Sequence, residues 1–226
     1  MLINGIKYSI SYFSILPIKI GKFEANDDFY RGVLFGLPIV GLISAIITIL
    51  FFVVLPFPNL YKAILCSILY LFLNGFIHLE GVGDTIDGYF SSFGKKDVYE
   101  VMKEPQIGAI GAIGTFCFVL LKVLAISYLL FCEQYLFIVL ALVLSRTSIF
   151  FALDLKFHEG SHFIHSLQNS IKVSMIFKVL FIPIDILTKL ILKKLKKQLG
   201  FINGDTLGFN IEVSEIVLLN IGVLFC

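Results

Sequence analysis

Residues His78 to Gly88 read HLEGVGDTIDG, and Glu80, Asp84 and Asp87 within them are spaced i, i+4, i+7. At about 100° per residue these three carboxylates fall within roughly 60° of one another on one face of a helix. Three acids held so close repel one another and are costly to desolvate near a membrane boundary. A divalent cation between them would remove both costs. Ligands that are all oxygen select a hard ion, and Mg²⁺ typically takes one or two carboxylates together with substrate phosphates and waters. Gly81, Gly83 and Gly88 leave room for a bulky ligand to approach the backbone. The same spacing also suits a solvated acidic loop whose glycines only make turns. His78 falls on the opposite face from the acids and is read as no part of an ion's ligand set.

Other residues could do chemistry. Arg146 lies in an apolar run, so it needs a partner facing the bundle interior, either a carboxylate such as Asp84 or a substrate phosphate. Gly204-Asp-Thr-Leu-Gly208 repeats the Asp-Thr pair of the acidic segment just before an apolar stretch; Asp205 or Thr206 is suited to cap a helix there. His158, Glu159, His162 and His165 fall within eight residues. The i, i+4 pair 158/162 is the spacing of a zinc-binding helix, but Gly160 disfavours a helix at that point. Gly108, Gly111 and Gly114 read as a small-residue packing face in preference to a phosphate-cradling loop. The four cysteines, Cys66, Cys117, Cys132 and Cys226, form no CxxC or CxxxC pair and read as ordinary buried thiols.

The elements that position these residues follow from hydropathy. Of 226 residues, 58% are hydrophobic and 15% charged, with mean hydropathy +0.95. One soluble core of this length could not hide that apolar excess, which excludes a soluble enzyme, a nucleic-acid-binding domain and a disordered chain. The fold class is all-α: a polytopic membrane bundle of about five to six membrane helices plus interfacial helices, forming one domain over residues 1–226. Spans of about 20 apolar residues are expected at 33–55, 59–77, 108–131 and 134–153, with a shorter one at 211–225 whose first turn holds Glu212 and Glu215. The first thirty residues read as an interfacial segment, and no cleaved signal peptide is expected. Residues 173–199 contain Pro183 and end in Lys193, Lys194, Lys196 and Lys197; a re-entrant or interfacial helix broken at Pro183 is expected. Basic residues concentrate in the N-terminal arm (Lys7, Lys19, Lys22, Arg31), around Lys95, Lys96 and Lys103, and at Lys156 and Lys172. The positive-inside rule then turns the long polar segments toward the cytoplasm.

Taken together, the landmarks resemble the cobalamin synthase family, the adenosylcobinamide-GDP ribazoletransferases, along nearly the whole chain. Ser11 to Pro17 is similar to the family's aromatic-rich stretch ending in proline, and Arg31 to Gly41 to its first helix entry. His78 to Gly88 resembles the signature H-L-D-G-x-x-D-T-x-D-G. Met102 to Gly111 resembles M-x-D-x-x-I-G-x-x-G, Leu144 to Arg146 a Ser-Arg pair, and Gly200 to Glu215 a C-terminal G-G-x-T-G-D-x-x-G segment. Glu80 and Glu104 stand where the family has Asp, and Phe201, Asn203 and Phe209 also depart from its pattern.

The resemblance implies a bacterial multi-pass enzyme of the cytoplasmic (inner) membrane whose active site faces the cytoplasm. Its reaction would be the Mg²⁺-dependent joining of adenosylcobinamide-GDP to α-ribazole or its 5′-phosphate, releasing GMP. It implies Glu80, Asp84 and Asp87 as metal ligands, Asp84, Asp87 and Asp205 as catalytic groups, and Arg146, His78, Thr85 and Thr206 as substrate-binding groups. Implied partners are these small molecules and the bilayer, with a homo-oligomer or an assembly with other late corrinoid enzymes, and no nucleic acid. A CDP-alcohol phosphatidyltransferase fits less well: Asp84-x-x-Asp87-Gly88 matches its opening, but Ser91 and Ser92 stand where Ala-Arg is needed. An ion-coupled transporter would place carboxylates at the midplane, and a degenerate scaffold protein would tolerate the departures from the motifs.

Overall fold

The computed structural model describes residues 1–94 and 97–226; Lys95 and Lys96, counted above among the basic residues, lie outside the described part. Among the described residues every regular element is helical. In order these are α1 (Leu2–Tyr12), α2 (Asp27–Val54), α3 (Asn59–Leu73), α4 (Ile77–Ser91), α5 (Val98–Val101), α6 (Ala109–Phe131), α7 (Tyr135–Ala152), α8 (His162–Ser170), α9 (Met175–Leu180), α10 (Ile182–Leu199) and α11 (Gly204–Val223). Helices α2, α6, α7 and α11 are long and apolar enough to cross a membrane. The pair α3–α4, bent by 81°, brings the number of crossings to five if it counts as one.

Local chemistry sets the helix limits. The side chain of Asn26 accepts the Phe29 N–H, Asp27 and Asp28 occupy the first turn of α2, and the helix stops before Pro56. Gly5 and Gly32 bring α1 against the start of α2, where any Cβ would strike backbone of the other helix. The expected single helix over 59–77 is broken after Leu73. There Gly75 (φ +59°) and Phe76 (φ +58°) take left-handed backbone and Asn74 caps α3. The acidic segment beyond is therefore a helix, α4, set at a steep angle to α3.

The break in 173–199 falls at Phe181. Pro183 occupies the first turn of α10, where its missing N–H costs nothing. The last helix begins at Gly204, seven residues before the expected start at Ile211. The Asn203 side chain accepts the Thr206 N–H while the Thr206 hydroxyl accepts the Asn203 N–H, a reciprocal cap. Glu212 and Glu215 are thus mid-helix and buried, not in a first turn at the interface.

Two apolar layers are separated by a polar one. Val33, Leu37, Ile149 and Leu207 belong to one cluster, and Ala45, Phe52, Leu142 and Leu219 to the other. Between them on α2, α7 and α11 lie Ser44, Ser145–Ser148 and Asn210–Glu215. Lys122 Nζ sits 2.8 Å from both Glu212 Oε2 and Glu215 Oε1. Arg146 Nη1 donates to Glu215 Oε2 at 2.9 Å. Its Nη2 donates to Asn74 Oδ1 at 2.8 Å and to the Tyr70 hydroxyl at 3.2 Å, and that hydroxyl donates to Glu215 Oε1 at 2.6 Å. Two cations face two carboxylates, which is the condition for keeping charge inside a membrane. Through Asn74 the network also reaches the bend that aims α4. Of the cysteines only Cys66 is fully buried; Cys117 is exposed on α6, and Cys226 is exposed beyond the end of α11.

Candidate active site

Helix α4 packs between α6 and α11, and three glycines allow the close approach. A Cβ on Gly81 would lie 2.8 Å from the Asp205 carbonyl oxygen, so only glycine brings α4 this near the start of α11. A Cβ on Gly83 would meet Ile107, and one on Gly111 would strike the Asp87 carboxylate. The small-residue face expected at Gly108, Gly111 and Gly114 is therefore a packing face, and it serves Asp87 and Ile86 directly. Asp87 Oδ2 accepts the Gly108 N–H and Oδ1 the Gly111 N–H, each at 2.7 Å. A carboxylate thus occupies the α6 N-terminus, where free N–H groups and the helix dipole favour negative charge.

Glu80, Asp84 and Asp87 share one face of α4 as their spacing predicts, and Asp205 approaches them from the start of α11. Asp84 lies within electrostatic range of Asp205, Glu80 and Asp87. Three cavities surround this group. One of about 650 Å³ is lined by Asp84, Asp87, Glu104, Gln106 and Gly108, with no basic side chain among the described residues of its wall. A second, about 370 Å³, has Glu80, Gly81 and Asp205 on one side and the rings of Tyr8, Tyr12, Phe13 and Phe163 on the other. The third, about 390 Å³, is lined by Tyr99, Lys103, His162, Asn203 and Asp205. Asp205 is common to the last two. It accepts from Asn203 Nδ2 at 2.8 Å and is half-buried.

The other residues named from sequence lie elsewhere. Arg146 is 1% exposed and its carboxylate partner is Glu215, not Asp84: α7 carries it into the polar layer. The Thr206 hydroxyl is consumed by the α11 cap, so it holds the helix start and not a ligand. His78 is buried with its ring stacked on Phe13 (centroids 5.5 Å apart) and its Nε2 without a hydrogen-bond partner among the described residues. It faces a space of about 10 Å³ beside Lys122 and Glu212, large enough for about one water. Thr85 is 1% exposed, on the side of α4 turned to α10. The His158 ring stacks on Tyr99 at 4.1 Å, and His165 bonds Gln168 and the His158 carbonyl. Among the described residues no three His, Cys, Asp or Glu side chains converge closely enough to hold an ion by themselves. Lys103, Tyr99, Glu104 and Gln106 join the site only through tertiary packing. Their signals in the sequence are their place in the polar stretch between α4 and α6 and, for Lys103, Glu104 and Gln106, the motif resemblance of Met102 to Gly111.

Comparison with known proteins gives the family. The family model described as cobalamin-5-phosphate synthase matches residues 5–223. The chain belongs to that family. Among its relatives are adenosylcobinamide-GDP ribazoletransferases from Treponema denticola (30% identical, covering 96% of each chain) and Alkaliphilus oremlandii (29%, covering 93% of each). Another, from Clostridium tetani, is 28% identical over 92% of this chain and 91% of its own. No solved structure matches. The chain is thus a membrane-embedded transferase of cobalamin synthesis, built from several apolar membrane helices.

Proposed function

We propose that the chain transfers the adenosylcobinamide phosphate of adenosylcobinamide-GDP to a ribose hydroxyl of α-ribazole or its 5′-phosphate, with release of GMP. The observation that carries this reading is the grouping of Glu80, Asp84 and Asp205, from two helices, within electrostatic range of one another, with Glu80 and Asp205 lining one cavity and Asp84 the wall of its neighbour. Family membership over nearly the whole chain supplies the substrate class.

The donor set fits Mg²⁺. It is all oxygen, and its acids number too few at bonding distance to enclose an ion alone, which suits a metal that completes its shell with phosphate oxygens and water. Asp84 and Glu80 would hold it. Asp87, with both oxygens engaged by α6, fixes α4 beside the cavity and orients Asp84. Bound there, the ion supplies charge neutralisation for a diphosphate. The chain's own residues do the rest. Tyr8, Tyr12, Phe13 and Phe163 form a broad aromatic wall for the bulky corrinoid. Lys103 and His162 offer cationic and hydrogen-bonding groups to the acceptor side.

The Asp205 carboxylate takes the proton from the attacking ribose hydroxyl. That oxygen bonds to the corrinoid-side phosphorus as the bond to the GMP oxygen breaks. Phosphoryl transfer of this kind depends on positioning and electrostatics more than on covalent catalysis.

The site end of the molecule also carries the basic loops. Arg31 Nε donates to the Ser170 carbonyl, and Lys196 Nζ to the Lys156 carbonyl. The positive-inside rule turns that end toward the cytoplasm of a bacterial inner membrane. Membranes containing the chain, supplied with adenosylcobinamide-GDP and α-ribazole, should release GMP only with Mg²⁺ present. Release unaffected by chelation would remove the metal from this account, and no release from correctly inserted protein would remove the reaction.

A further inference from the structure

Helix α10 changes character along one outward stripe. Ile182, Ile186 and Leu190 are exposed at 46%, 52% and 66%, and the same stripe continues into Lys193 and Lys197, also exposed. The preceding α9 exposes Met175, Ile176, Val179 and Leu180. In a chain that spans a membrane, an outward apolar face of this kind suits contact with lipid. A lysine-rich end at the far side of the same helix is the arrangement that rests at a headgroup layer. Lys178 and Lys189 are neutralised locally by Asp154 and Asp185. Lys193, Lys194 and Lys197 have no carboxylate partner among the described residues.

Beside this basic end, α10 leaves a cleft of about 320 Å³ against α4 and α11. Its walls include Ile86, Phe90, Ile191, Leu195, Phe209 and Val213, and the one charged residue among the described residues of its wall is Lys194. Thr85 is also in the wall, its hydroxyl buried and without a hydrogen-bond partner among the described residues. The cleft shares Phe90 with the largest of the cavities at the carboxylates but takes in none of the acids themselves. Its lining is apolar and its single charge positive, so the occupant it complements is an amphiphile with an apolar chain and an anionic head.

We propose that this cleft is a binding site for an anionic phospholipid, whose acyl chain lies along Ile191 and Phe209 and whose phosphate pairs with Lys194. The lipid joins α10 to α4, the helix that carries Glu80, Asp84 and Asp87, and so ties the carboxylate face to the membrane surface.

The chain contains no tryptophan, so Ile191→Trp places a single fluorophore in the cleft. The full chain carrying it would be reconstituted in phosphatidylcholine with a minor fraction of either dibrominated phosphatidylglycerol or dibrominated phosphatidylcholine. At equal mole fraction the anionic quencher should be about fivefold more effective, the size of effect that one lysine exerts near an anionic surface. That preference should vanish with Lys194→Gln and persist with Lys178→Gln, whose parent lysine is already paired. Val213→Trp, across the cleft, repeats the measurement if the first variant does not insert. Equal quenching by both lipids, or a preference that survives Lys194→Gln, would overturn the proposal. Relief of quenching by adenosylcobinamide-GDP would also overturn it, by giving the cleft to substrate.

Discussion

Asp205 and Thr206 are neighbours with different work. The Thr206 hydroxyl closes the α11 cap and is fully buried, whereas the Asp205 carboxylate leaves the helix start and reaches two cavities. Asp205→Asn keeps the shape and removes the base, so GMP release should fall about 100-fold with unchanged thermal unfolding in detergent. Thr206→Ala should do the reverse, costing about 1 kcal/mol of stability with a smaller effect on rate; calorimetry and the release assay on the same preparations separate the two. The shared face of Glu80, Asp84 and Asp87 was legible from the i, i+4, i+7 spacing once the segment is a helix; that it is a helix and not a solvated loop is seen only in α4. The role of Thr206 was not legible, because Asp-Thr before a helix suits a cap and a ligand equally. Only the bond to Asn203 decides between them.

At the scale of elements, the glycines decide how the carboxylates are presented. Gly111→Ala would drive a methyl group into the Asp87 carboxylate and toward the Gly83 carbonyl. It should destabilise the α4–α6 contact by about 1–3 kcal/mol, seen as faster proteolysis of the polar stretch between the two helices. The spans α2, α6 and α7 could be read from hydropathy, to within six residues at the start of α2 and one residue at their other ends, since each is a continuous run long enough to cross. The expected span at 59–77 could not, because the run breaks after Leu73. Nor could the start of α11. Gly204 and Gly208 are poor helix formers, and Asn210, Glu212 and Glu215 look like loop or interface residues until their partners are known. Those partners are remote: Lys122 is 90 residues from Glu212, and Arg146 is 69 from Glu215. Sequence reasoning gave Arg146 the right need, a buried countercharge, and no means of choosing which carboxylate met it.

In the whole molecule, the buried polar layer is what lets a very apolar chain keep one arrangement of helices. It joins α3, α6, α7 and α11 through two cations and two carboxylates, and it holds Asn74 at the turn from which α4 departs. Glu215→Gln would leave Arg146 without its carboxylate and Lys122 with Glu212 alone, and should lower stability by about 3 kcal/mol or more, measured as loss of folded protein after extraction. The layer supports the site without belonging to it, so transfer should depend far more steeply on the acids of α4 than on this network in whatever protein remains folded. The most direct measurement is GMP release from adenosylcobinamide-GDP by Asp84→Asn, with insertion matched to the unaltered chain. The account predicts a loss of about 100-fold or more that added Mg²⁺ does not restore. An Asp84→Asn protein that releases GMP at the unaltered rate would contradict it, because the carboxylate face of α4 would then not be where the transfer occurs.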